Sequence, residues 1–229
     1  MLESLRQEVL EANLELVRRG LVIETFGNAS GIAREQGLVV IKPSGVAYES
    51  LSARDMVITD LEGHVVEGAL NPSSDLATHL VLYRSFAALG GVAHVHSRYA
   101  TAWAQAGREI PCFGTTHADY FHGSIPVTEP MQPEEIQTGY EANTGHIIVR
   151  RFGNLNPEHI PAVLVHGHGP FCWGRSAAEA ARLAALLEEV ARIAYYTVTL
   201  KPISTPISQP LHDKHFFRKH GPGAYYGQK

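Results

Sequence analysis

Leu2, Leu5, Val9, Leu10, Leu14 and Val17 recur at helical spacing, which predicts an amphipathic helix over residues 2–18, stopped by Gly20. The period then changes. Leu21-Val22-Ile23 starts an extended segment, which Gly27-Asn28-Ala29-Ser30-Gly31 is expected to break. The apolar run over 37–42 predicts a strand ended by the turn Pro43-Ser44-Gly45, and 56–60 with 64–67 predict a hairpin around Glu62-Gly63. Helices are predicted over 76–89, capped by Ser73, Ser74 or Asp75, over 97–106, and from Pro133 to about residue 143. His146-Ile147-Ile148-Val149 predicts a strand, and so do 161–168 and the continuation Phe171-Cys172-Trp173-Gly174. The stretch 108–132, rich in Gly, Pro and Thr, predicts loop, and an Ala- and Leu-rich helix is predicted over 177–199. Irregular alternation of these elements points to an α/β fold, a three-layer α/β/α domain with a mainly antiparallel central sheet, with no internal repeat or linker. Residues 1–229 are expected to form one domain. The Pro- and Gly-rich tail from about 201 cannot build its own core and must dock on the domain or on a neighbouring subunit.

Two strings stand out against this pattern, His94-Val95-His96 and His166-Gly167-His168, each at the end of an apolar run. On a β-strand, period two puts both imidazoles of such a string on one face. Two strand ends bearing paired imidazoles can assemble a divalent metal site, for which zinc is the natural occupant. Period two does not separate His166 from His168. The remaining histidines follow no such pattern.

Composition narrows the class. The chain of 229 residues is 45% hydrophobic and 18% charged, which fits a globular protein. A net charge of -4 argues against a nucleic-acid-binding surface, and no apolar run approaches the ~20 residues of a membrane span. The N-terminus has no signal-peptide core, and Cys112 and Cys172 read as two reduced thiols, so a cytoplasmic protein is expected. Neither a Walker loop nor a dinucleotide fingerprint is present.

Gly27-Asn28-Ala29-Ser30, Lys42-Pro43-Ser44-Gly45, Pro72-Ser73-Ser74-Asp75, His94-Val95-His96-Ser97 and Val165-His166-Gly167-His168-Gly169-Pro170 together resemble the class II aldolase/adducin superfamily. Gly114-Thr115-Thr116-His117-Ala118-Asp119-Tyr120-Phe121 and the ending Lys214-His215…Arg218-Lys219-His220-Gly221…Tyr225-Tyr226-Gly227-Gln228 resemble its pentulose-phosphate 4-epimerase branch. Phe26 stands where Trp often precedes the Gly-Asn pair, a difference of packing.

The resemblance implies a metal held by His94, His96 and His168, with Asp75 near it as a ligand or a helix cap and His166 in support. Zn²⁺ is the implied cation, with Mn²⁺ or Co²⁺ as other occupants. It implies a phosphate pocket of Gly27, Asn28, Lys42, Ser44, Gly45, Ser73 and Ser74, with Thr115, Thr116 and His117 shaping the substrate pocket or positioning Asp119, Arg218 contacting phosphate and His215 orienting Tyr226. His117 as a fourth metal ligand is the lesser alternative.

The implied substrate is L-ribulose 5-phosphate, converted to D-xylulose 5-phosphate, in carbohydrate metabolism fed by L-arabinose, L-ascorbate or another source. Its C4–H is not acidified by the ketone, so a retro-aldol route is expected. C3–C4 breaks, the aldehyde turns over and the bond re-forms, with Asp119 and Tyr226 as the two proton-transfer groups. A cyclic C4 homotetramer is implied, with Tyr226, His215 and Arg218 reaching a neighbour's site. Two rivals are an aldolase of the L-fuculose-1-phosphate kind and a non-catalytic adducin-like interaction domain. The second lacks the full histidine set that this chain keeps.

Overall fold

The computed structural model describes residues 2–227, so Gln228 of the Tyr-Tyr-Gly-Gln ending lies outside the described residues. Seven strands form one sheet: β1 (Asn28–Ala33), β2 (Leu38–Ile41), β3 (Val57–Asp60), β4 (Val65–Glu67), β5 (Gly91–His94), β6 (Ala162–Leu164) and β7 (Pro170–Gly174). Their order is β4-β3-β2-β1-β5-β7-β6, and every neighbouring pair is antiparallel. Helices α1 (Glu3–Arg18), α3 (Arg98–Gln105) and α7 (Ala177–Leu200) pack together on one face. Helices α2 (Leu76–Ser85) and α6 (Tyr140–Arg151) pack on the other. The alternation along β1 shows both layers. Ser30 hydrogen-bonds His79 of α2, while Gly31 lies under Leu5 of α1. The expected three-layer architecture is the one observed.

Strand pairing fixes what meets at one end of the sheet. Because β1 and β7 both run antiparallel to β5, their first residues lie beside its last: Asn28 pairs with His94, and His94 with Phe171. That shared end carries the chemistry.

The structure departs from the sequence pattern in five places. The glycines at 27–31 do not break the chain, since β1 begins at Asn28. Gly31 is small because a Cβ there would lie 2.8 Å from Leu5 Cδ1. His146-Ile147-Ile148-Val149 belongs to α6, where α2 covers the buried Ile147 and Ile148; an apolar run this short does not distinguish strand from helix. The helix expected over 133–143 is two, α5 (Pro133–Gln137) and α6, split at Gly139 with φ 129°. The helix expected over 76–89 ends at Ser85.

The fifth difference bears on the site. The strand expected over 161–168 stops at Leu164. His166 and His168 sit on the β6–β7 turn, closed by His168 N–H to Val165 O (3.0 Å) and Val165 N–H to Gly169 O (2.9 Å). Gly167 takes φ 70°, so the period-two argument does not apply to this pair. Within the 108–132 loop a short helix, α4 (Thr115–Ala118), carries Thr115 and ends at Asp119. The tail forms α8 (Gln209–Phe217), which packs against α4, with buried His212 donating to Phe121 O and buried Phe216 against the His122 ring.

Candidate metal centre and active site

His94, the last residue of β5, is buried and stacks on Phe171, with ring centroids 4.1 Å apart. Its Nδ1 lies 2.9 Å from Pro170 O. A carbonyl can only accept, so Nδ1 carries the proton and Nε2 presents a lone pair. His96 Nε2 lies 3.0 Å from that atom, and Phe26 stacks on the His96 ring at 5.9 Å. The β6–β7 turn brings in His168, and the three ligand atoms all fall within 4.8 Å of one another. Tetrahedral nitrogen ligands at ~2.05 Å from zinc lie about 3.4 Å apart, so little movement is needed to hold a cation.

The turn can approach this closely only because residue 169 is glycine. A Cβ there would stand 2.9 Å from Val95 O and 3.6 Å from both His94 Cε1 and His96 Cδ2. Electrostatics agree with ligation. Burial keeps His94 and His96 neutral below the ordinary imidazole range. Burial, with His94 and His96 alongside, pushes His168 down to about 3. Three neutral imidazoles are the donor set that zinc and its neighbours in the series accept.

His166 points elsewhere, since its Nε2 would lie 2.7 Å from a Cβ on Gly107, at the end of α3. Asp75 occupies the N-cap position of α2 but makes no capping bond. Its carboxylate instead accepts from Asn28 Nδ2 at 2.6 Å. Burial opposes its ionisation, yet the nearby imidazoles of His94 and His79 and the Asn28 amide hold the carboxyl below its ordinary value. Tyr140, at the start of α6, was not singled out by any sequence pattern. Its hydroxyl lies 3.3 Å from His168 Nδ1, which leaves Nε2 of that ring for a metal.

The turns expected to bind phosphate meet beside this centre. Asn28 Nδ2 also reaches Ser73 Oγ at 3.1 Å, Ser73 N–H donates to Lys42 O at 3.0 Å, and Ser44 N–H donates to Asn71 O at 2.9 Å. Tyr48 Oη donates to Gly27 O at 2.7 Å. Lys42 is 2% exposed, and its ammonium donates to the carbonyls of Pro43 and Val46 and stands 4.7 Å over the Tyr48 ring. Burial lowers its pKa, and no carboxylate pairs with it among the described residues. A buried cation so placed gains most from an anion. Ser44, Gly45 and Ser74 are exposed at the rim.

A second cluster forms around Asp119, 9% exposed at the end of α4. Arg218 Nη2 donates to both carboxylate oxygens at 2.9 and 2.8 Å, His215 Nδ1 lies 2.9 Å away, and Lys219 Nζ 3.1 Å. Burial would raise the Asp119 pKa, but the hydrogen bonds from Arg218, His215 and Lys219 prevail and hold it below the ordinary range. Tyr226 is 60% exposed, with its ring over Arg218 and Lys219 at 4.7 and 4.6 Å. His215 and Arg218 thus stand with Asp119 rather than with the phosphate turns, and His215 hydrogen-bonds Asp119 rather than Tyr226. His117 also lies on this side, with Nε2 donating to Gly123 O at 2.7 Å, and is not among the clustered metal-type ligands. Thr115, four residues before Asp119, accepts its backbone N–H at 2.9 Å. Lys219 is a partner that sequence reasoning did not assign; its only signal was the basic-aromatic run 213–220.

Residues 7–195 match the family model described as the Class II Aldolase and Adducin N-terminal domain. The chain belongs to the class II aldolase/adducin family. It is 55% identical over 228 residues to an L-ribulose-5-phosphate 4-epimerase UlaF of Salmonella paratyphi B, covering 100% of both chains. The likeness to the UlaF of Salmonella typhi is equal, 55% with the same coverage. Among solved structures, an L-fuculose 1-phosphate aldolase superposes with TM-score 0.77 at 25% identity, over 93% of this chain and 94% of that one. The l-fuculose-1-phosphate aldolase of Thermus thermophilus gives 0.68 at 26%, over 88% and 99%. No helix among the described residues is long and apolar enough to cross a membrane.

Proposed function

We propose that this protein is a divalent-metal-dependent epimerase that interconverts L-ribulose 5-phosphate and D-xylulose 5-phosphate by breaking and re-forming the C3–C4 bond. The observation that carries this reading is the full-length likeness to the Salmonella epimerases, 55% over 228 residues, which includes the tail as well as the histidine centre. A cation on His94, His96 and His168, with Asp75 beside them, would supply Lewis-acid charge at the ketone end of the substrate. Zn²⁺ is the proposed occupant, and Mn²⁺ or Co²⁺ fit the same three imidazoles.

The chain's own groups divide the remaining work. Lys42, Asn28, Gly27, Ser44, Gly45, Ser73 and Ser74 bind the phosphate, with Lys42 as the buried charge. Asp119, held ionised, accepts a proton from the C4 hydroxyl on one face, and the Tyr226 hydroxyl serves the other face once the aldehyde has turned over. Arg218 and His215 hold Asp119 in place, and Thr115 shapes the pocket next to it.

The proton-transfer pair comes from a neighbouring copy in a C4 homotetramer, each chain working as one domain with its tail from about 201 at the subunit boundary. Two observations support this. The hydrogen-bond partners of Asp119 and those of the histidine centre do not overlap within one chain. Tyr226 is exposed to a neighbouring copy, with its ring over Arg218 and Lys219. The buried free thiols Cys112 and Cys172 suit a reducing compartment such as the cytoplasm.

Incubation of the metal-quantified protein with L-ribulose 5-phosphate tests the reading. D-xylulose 5-phosphate should accumulate to an equilibrium mixture, with the protein sedimenting as a tetramer. Net accumulation of dihydroxyacetone and glycolaldehyde phosphate without it would make the protein an aldolase of the L-fuculose-1-phosphate kind.

A further inference from the structure

Beneath the histidine centre lies a buried group that the proposed chemistry leaves without a role. His79, one turn into α2 from Asp75, is 0% exposed, and its ring meets the edge of Phe171 at 6.1 Å, the same ring that stacks on His94. Its Nδ1 lies 2.7 Å from Ser30 Oγ, which lies 2.7 Å from Tyr83 Oη.

The order of protons along this chain can be derived. Ser30 Oγ is the one hydrogen-bond partner of the buried Tyr83 hydroxyl among the described residues, so Tyr83 gives its proton to Ser30. Ser30 then gives its proton to His79 Nδ1. Burial drives the His79 pKa down to about 3, so the ring is neutral and its single proton sits on Nε2. That Nε2 is fully buried and has no hydrogen-bond partner among the described residues. Asp75 lies one turn earlier at the start of α2, where its backbone carbonyl accepts the His79 N–H at 3.1 Å. A buried N–H without an acceptor is rare and calls for a reason.

We propose that His79 is a positioning residue: the Tyr83–Ser30–His79 chain fixes its tautomer so that the Nε2–H is reserved for the Asp75 carboxylate and turns Asp75 toward the metal. Asn28 holds one carboxylate oxygen at 2.6 Å, and the His79 donor serves the other when the cation is bound. Partners of this kind, which orient a metal's acidic neighbour, tune affinity as strongly as some direct ligands. The inference rests on the reading of His94, His96 and His168 as the metal centre.

The test uses the whole protein stripped of metal and titrated with Zn²⁺ against a chromophoric chelator, with the visible spectrum of the Co²⁺-loaded form as a second readout. His79→Asn keeps a group near Nδ1 but none at Nε2, and should weaken metal binding about 10- to 100-fold with a shifted Co²⁺ spectrum. In the same variant kcat should fall more than KM rises. His79→Gln places an amide nitrogen where Nε2 stands and should recover affinity to within about threefold, while Ser30→Ala should lose less than His79→Asn. Asp75→Asn and the double variant Asp75→Asn/His79→Asn should bind metal equally, because the second change acts through the first. Wild-type affinity and spectrum in His79→Asn would overturn the proposal. So would equal losses in the Asn and Gln variants, or losses that multiply in the double variant. If the wild-type protein itself takes no metal, the reading of the histidine centre fails instead. Should His79→Asn not fold, the Gln and Ser30→Ala variants carry the same decision.

Discussion

His94, His96 and His168 are placed by main-chain pairing, whereas Asp119 is placed by charge. At the metal end, β1, β5 and β7 end side by side, and a glycine at 169 lets the turn press His168 against the other two rings. Little there depends on long side chains finding one another. At Asp119, a carboxylate on a four-residue helix is gripped by Arg218, His215 and Lys219, about a hundred positions later in the chain. Taking an unpaired carboxylate out of water costs several kcal/mol, so the tail's cations are what make this burial tolerable. The comparison separates two kinds of site. One is rigid before anything binds. The other is a docked arm, whose catalytic geometry depends on how firmly the tail sits.

The largest effect should come from the rigid end. His96→Asn removes an imidazole from the triad and should lower metal occupancy and turnover together, by more than about 100-fold, with Asp119 and the tail unmoved. Metal content by elemental analysis beside the phosphosugar assay checks this, and full activity would remove His96 from the site. At the docked end, Asp119→Asn and Tyr226→Phe should each lower kcat by about 100-fold or more while leaving metal content unchanged. If either variant lost its metal instead, the two regions would not be independent and the comparison would break.

The sequence made the two ends legible to different degrees. His94 and His96 stood out because an apolar strand precedes them. His168 stood out for a reason that proved inapplicable: the string lies on a turn, and what selects His168 over His166 is the direction of that turn, which no periodicity encodes. The Gly, Ser and Lys turns were visible as turns, yet their convergence on Asn28 depends on antiparallel register across three strands. Arg218 and His215 were visible as a basic patch, but their partner, Asp119, lies nearly a hundred residues earlier, and pairings at that distance leave no local trace. Tyr140 and His79 were missed because a single polar residue on a helix looks the same whether it faces solvent or a metal ligand. The layered antiparallel fold was readable from the order of elements, while the segment 146–149 was not, since four apolar residues fit either period.

A smaller and more selective perturbation is Gly169→Ala. The new methyl would meet Val95 O at 2.9 Å, with His94 and His96 at ordinary contact distance, so the turn must back away from β5. Overpacking of this kind costs about 1–3 kcal/mol, which the denaturant midpoint will show. Metal affinity should fall about tenfold, because loosening one of three ligands acts much as losing a supporting partner does. KM for the phosphosugar should change little, since the Lys42 turn is not in the path of the displacement. An unchanged metal affinity would show that the turn is adjustable and the end of the sheet less rigid than its register implies.

Acidification should separate the regions with the smallest effect of all. His168 and His79 have pKa values near 3, and those of His94 and His96 are also lowered, all chiefly by burial. In the unfolded chain these rings titrate at about 6.5. Between that value and the folded ones the unfolded chain binds protons that the native protein refuses, so the stability of the metal-free protein falls as pH drops below about 6.5. Asp119 has a dependence of the same sign in a lower window. Its depressed pKa gives a stabilisation fully present above the unfolded carboxylate value of about 3.9, lost only as pH falls through the folded one. His117, lowered to about 4 by burial, ties the docked side to the higher window. From pH 7 to 5 the melting temperature of metal-free protein should therefore decline, while protection of the tail against limited proteolysis stays intact. Added Zn²⁺ should oppose the decline, because a bound cation and a proton compete for the same imidazole nitrogens. Release of the tail before any loss of melting temperature would place the acid-sensitive groups at the docked arm and reverse the contrast between the two ends.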